Sequence, residues 1–106
     1  LQASSFLIGF LALSFSGAFA QASPPASQLI ANPVFHKNCA KCHGKSAEGR
    51  HFGGPSLVSG KSTAMSEEEL RNIVTNGKGR MPKYAGKLSS EEIEMLVRQI
   101  TEASHK

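Results

Sequence analysis

The sequence predicts an all-α domain in which three main helices, joined by two long loops, wrap one large bound group. Two segments carry the same helix-start pattern followed by an apolar stripe. Ser66 and Glu69 precede Leu70, Ile73 and Val74, and Ser89 and Glu92 precede Ile93, Leu96, Val97 and Ile100. No stretch of any length alternates with the period of two that a strand requires. The loops are long and the apolar side chains too few to close a core unaided, so a bulky apolar ligand is needed to fill it.

The first helix is expected to begin at Asn32-Pro33 and run toward Cys39. An asparagine side chain accepts from the free N–H groups of the first turn, and proline at the first helical position forfeits no hydrogen bond. Gly44 to Ser62 is rich in Gly, Ser and basic residues, with Gly53-Gly54-Pro55 as its sharpest break, and reads as the first loop. The second helix is placed at about Glu67 to Asn76, with Met65 and Leu70 as a hydrophobic staple and Gly77 as its stop. Gly77 to Gly86 is the second loop. The last helix spans roughly Ser90 to Glu102, with Leu88 stapled to Ile93.

Upstream, Phe6 to Phe15 is an apolar run broken only by Gly9 and Ser14, and Ala18-Phe19-Ala20 follows it. Residues 1–20 therefore read as an export signal cleaved after Ala20, with a cut after Ala22 as the alternative. The basic stretch that opens such signals is missing, and Leu1 suggests a truncated start. Residues 21–30, with Ser23, Pro24, Pro25 and Ser27, read as a disordered leader, and residues 31–106 as the single domain. The expected product is a soluble monomer, periplasmic or otherwise exported. Membrane association is expected only if the signal stays uncleaved.

Cys39-Ala40-Lys41-Cys42-His43 carries the chemistry. In a Cys-x-x-Cys-His run two thiols add to the vinyl groups of a haem, and the adjacent imidazole reaches its iron. An accidental match has odds on the order of one in a thousand at this composition. A thioredoxin-like dithiol, which needs a βαβ context, a zinc site, which needs further ligands, and an inert thiol pair are the competing readings. A disulfide across so short a loop would restrain the unfolded chain little.

With these residues in the order attachment motif, loop, helix, methionine loop and terminal helix, the chain resembles the class I c-type cytochromes, of the small monohaem bacterial type. The resemblance implies a cytochrome c-like fold around one covalent haem c, and electron transfer as the function. It implies that Met81, in Arg80-Met81-Pro82, gives the second axial ligand after His43. It also implies that the Pro55 carbonyl accepts a hydrogen bond from the ligating imidazole and that Leu57 packs on the ring, and that Phe35 packs the first helix against Leu96 and Ile100. Thioether ligation favours reduced iron, and Pro82 stiffens the backbone that presents it. Among rivals, Met65 is used as a staple, Met95 lies off the apolar stripe, His36 is too near the attachment motif, and His105 lies in a fraying tail. His51 is the serious alternative. Ala31 stands where the family usually has glycine, and Gln99 or Val97 where it has an aromatic, so a looser or shifted helix crossing is expected.

The 12 Lys and Arg outnumber the 8 acidic residues, giving a net charge of +4. Lys37, Lys41, Lys45, Lys78, Arg80, Lys83 and Lys87 flank the two cofactor-binding segments, a rim suited to steering an acidic redox partner. No interleaving of aromatic and basic residues points to nucleic acid. A one-electron shuttle with His/Met ligation is the expected function. A haem enzyme or gas sensor with an open axial position, and the fixed cytochrome subunit of a larger dehydrogenase or oxidase, are the alternatives.

Overall fold

The structure, a computed structural model, describes Gly9 and residues 25–104. The two cleavage sites, the rest of the expected export signal and His105 lie outside the described residues. Among the described residues five α-helices follow in order: α1 (Pro25–Ala31), α2 (Pro33–Asn38), α3 (Ala40–His43), α4 (Glu67–Asn76) and α5 (Ser90–Ser104). A 3₁₀ turn at Gly60–Ala64 closes the first loop. Among the described residues there is no strand, only two isolated bridges, Lys78 with Met81 and Ala85 with Leu88.

Asn32 caps α2 as its sequence implies, its Oδ1 accepting from the Val34 N–H at 2.9 Å with Pro33 next in line. The chain before it departs from expectation. Residues 25–31 are helical, and Leu29 is fully buried in the core that α5 completes. A disordered leader reaching residue 30 is therefore corrected. Pro25 opens a helix rather than a linker, and Ala26 and Leu29, three apart, put an apolar face on α5. Pro33 lacks the N–H that would continue the ladder, so one helix becomes two short ones jointed at Asn32. A second joint falls at Cys39, whose backbone (φ −116°) separates α2 from α3.

Phe35 is fully buried in one cluster with Leu96, Val97 and Ile100. Of the first helices it is α1 that packs most on α5, and a hydrogen bond at the joint between α1 and α2 adds a tie. Asn32 Nδ2 donates to Gln99 Oε1 at 2.8 Å, so both polar atoms of this buried side chain (7% exposed) are paired. Asn32→Ala removes a cap and an interhelical hydrogen bond together. It should destabilise the folded protein by about 1–3 kcal/mol, read as a lower denaturant midpoint at unchanged slope.

Both later helices start in full capping boxes. Ser66 Oγ accepts from the Glu69 N–H (3.1 Å) while Glu69 Oε2 accepts from the Ser66 N–H (2.9 Å). Ser89 and Glu92 repeat the exchange at 3.1 and 2.9 Å. Ile93, Leu96, Val97 and Ile100 all point into the core. An Arg71–Glu94 ion pair joins α4 to α5 at the surface, and its hydrogen bond holds the Glu94 carboxyl below the usual carboxylate range. Exposed to solvent and salt, the pair adds little to stability.

Candidate functional site

A cavity of about 590 Å³ lies between the two loops and the inner faces of α4 and α5, within the range of small-ligand and cofactor sites. Cys39, Cys42 and His43 line one side. Leu57, Met65, Leu70, Val74, Leu96 and Ile100 make an apolar wall, and Met81 and Tyr84 come from the second loop. The five residues of the Cys-x-x-Cys-His run thus deliver two sulfurs and an imidazole to one apolar chamber, which is what attachment of a large apolar macrocycle requires.

His43 ends α3 and is nearly buried (8% exposed). Its Nδ1 lies 2.7 Å from the Pro55 carbonyl oxygen. A carbonyl only accepts, so Nδ1 carries the proton and donates, which leaves the Nε2 lone pair free for a metal. The segment that presents Pro55 is folded back on α3: Gly54 N–H donates to the Cys42 carbonyl (2.7 Å), Gly53 N–H to that of Arg50 (3.0 Å), and Arg50 N–H to that of Gly54 (3.1 Å). Gly54 runs flush against the imidazole. A Cβ there would sit 2.7 Å from both Cε1 and Nδ1 of His43. Leu57 is buried in the wall and held by its N–H to the Ala47 carbonyl at 2.8 Å.

Burial, and then the proximity of Cys42, push the Cys39 thiol up to about 11. Reactive redox dithiols owe their nucleophilicity to a lowered value, so the shift runs against the thioredoxin-like reading. The zinc reading lacks ligands: among the described residues no three His, Cys, Asp or Glu are grouped to hold a metal ion.

Met81 sits in a tight turn, exchanging backbone hydrogen bonds with Lys78 at 3.0 and 3.1 Å. Gly77 (φ 79°) lets the turn close, because a Cβ there would meet the Met81 carbonyl oxygen at 2.6 Å. Of the rivals, Met65 also lines the cavity, whereas Met95 (43% exposed) does not. His36 and His51 are exposed and outside the lining, His51 stacking edge-on against Phe52. Two residues of the site went unread in the sequence. Gly54 reads as part of a turn, and Tyr84 is assigned no role. Tyr84 is buried, its hydroxyl donating to the Asn38 carbonyl at 2.6 Å. For Tyr84 the available signal was that it is the one aromatic between Gly77 and Gly86.

Comparison with known proteins accords with this site. Residues 30–99 match the family described as cytochrome c oxidase, cbb3-type, subunit III. Cytochrome c6 of Leptolyngbya boryana is 36% identical over 84 residues, covering 76% of this chain and 98% of that one. A menaquinol:cytochrome c reductase cytochrome c subunit of Bacillus subtilis is 33% identical over 66% of this chain and 26% of its own length. Among solved structures, cytochrome c6C from Synechococcus sp. PCC 7002 superposes with a TM-score of 0.56 at 32% identity, covering 76% of this chain and 94% of that one. The c-type cytochrome NirC superposes at 0.57 with 28% identity, covering 76% and 93%. The fold and site define a small monohaem c-type cytochrome. The chain belongs to the matched cytochrome family, with a covalently bound haem c and its iron as cofactor and electron transfer between redox partners as function.

Proposed function

We propose that the haem is attached through Cys39 and Cys42, ligated by His43 Nε2 and the Met81 sulfur, and used to shuttle single electrons without substrate chemistry. The observation that carries this reading is the His43–Pro55 hydrogen bond, which fixes the imidazole and leaves the proton off Nε2, on a residue that lines the same cavity as both cysteines. When bound, the iron supplies a one-electron change of oxidation state. The protein's part is to hold two ligands still so that little reorganises, and to keep water from the apolar wall around Leu57. His43 is oriented by Pro55, and Met81 is presented by the Lys78 turn.

The partner is a redox protein with an acidic surface, and the carrier docks as a monomer. Lys61, Lys78 and Arg80 are exposed at the cavity rim, and Phe52, 93% exposed at the mouth, offers an apolar contact among them. Its backbone is left-handed (φ 62°), a conformation costly for a bulky side chain. Export of the mature domain fits the apolar run and small-residue pattern at residues 1–20. No described helix is long and apolar enough to cross a membrane. A fixed place in a larger oxidase or reductase is the second reading, favoured by the description of the matched family and by the reductase relative.

Film voltammetry of the holoprotein separates a carrier from an enzyme. A reversible one-electron wave unchanged by added peroxide or oxygen is expected. A catalytic current growing with either would mean an open, reactive axial position.

A further inference from the structure

Tyr84 stands three residues after Met81 and is buried, while the residues on either side, Pro82, Lys83 and Ala85 to Lys87, are exposed. The backbone of this loop is tied to α4: Tyr84 N–H donates to the Val74 carbonyl and Ala85 N–H to that of Thr75, both at 3.1 Å. The Tyr84 side chain reaches the other way. Its hydroxyl crosses 46 positions of sequence to the carbonyl of Asn38, the last residue of α2 and the one before Cys39. That carbonyl belongs to a helix C-terminus and has no partner within its own helix. One hydrogen bond therefore joins the loop that carries Met81 to the segment that carries the first thiol, and both of its residues line the cavity.

We infer that the Tyr84–Asn38 hydrogen bond is a latch, and that Tyr84 is a positioning residue setting how readily the loop opens and an outside ligand displaces the Met81 thioether. The inference rests on Met81 as the second axial ligand. With the loop closed, the hydroxyl and the carbonyl satisfy each other away from water. With it open, both are hydrated. Tyr84→Phe keeps the ring and its packing but strands the Asn38 carbonyl in the closed form only, so the open form gains population. The Lys87 ammonium, 5.8 Å from the ring centroid, caps the outer face of the same ring and is retained.

Imidazole is a suitable probe, because it competes for the sixth position of ferric protein and binds in proportion to the open fraction. Titrated into ferric holoprotein, it should bind Tyr84→Phe roughly tenfold more tightly than the wild type, within about three- to thirtyfold. Hydrogen exchange of the Tyr84 and Ala85 amides, read without added ligand, should quicken by a similar factor. A residue that only fills space would leave both readouts unchanged, so imidazole affinity within twofold of wild type, with unaltered amide exchange, overturns the latch. If the wild-type ferric protein itself lacks the absorption band of sulfur-ligated haem, the Met81 reading fails first and takes the latch with it.

Discussion

Gly54→Val should all but abolish mature holoprotein, lowering covalently bound haem by at least roughly tenfold. The smallest side chain at this position already intrudes to 2.7 Å on two atoms of the His43 ring, closer than unbonded carbon atoms approach. The ring cannot yield without losing its 2.7 Å bond to the Pro55 carbonyl, and the backbone cannot yield without breaking Gly54 N–H to Cys42. Either way a polar group is left unpaired at a cost of about 1–3 kcal/mol, a sizeable part of a small domain's stability. Gly54→Ala should show the same defect in weaker form. Gly79→Ala is the control. Nothing lies within 4 Å of its Cβ, so only the left-handed backbone (φ 57°) resists it, at about 1 kcal/mol, and haem content should hold. Haem-stained denaturing gels of exported protein, normalised to antibody signal, measure the difference.

Met81→Ala should remove the ferric band of sulfur ligation and lower the reduction potential by on the order of 0.1–0.3 V, part of the roughly 0.8 V over which axial ligands move haem potentials. The sign follows from the ligand. A neutral, soft thioether stabilises the reduced iron more than the oxidised, and water or an incoming nitrogen base in its place does the reverse. Met65 lines the same cavity, so Met65→Leu is the companion measurement. It should keep both the band and the potential. An exchange of these outcomes would transfer the ligand role to Met65.

The helices were legible because their signals are local. Two capping boxes, Pro33 behind Asn32 and the stripe through Ile100 each involve residues within a turn or two of one another. The attachment run was legible because the chemistry fixes its spacing, and the Pro55 contact because the resemblance supplied it. The helicity of residues 25–31 was not. Two prolines and two serines in nine residues, Ser23 to Ala31, look like a linker, and only the face that α5 offers to Leu29 makes a helix worthwhile there. Asn32 with Gln99, Tyr84 with Asn38, and Gly54 with His43 are likewise pairs whose meaning arises only in three dimensions. Neither partner of the first two carries a mark that points to the other across 67 or 46 positions.

The visible absorption spectrum of protein exported from a host with haem-attachment machinery, oxidised and then chemically reduced, bears most directly on the site built from Cys39, Cys42, His43 and Met81. Sharp reduced bands of a low-spin, six-coordinate c-type haem, with the weak ferric band of sulfur ligation, are the expected result. A five-coordinate, high-spin spectrum would contradict His/Met ligation and favour an enzyme or sensor, and a folded but colourless protein would contradict the haem site itself.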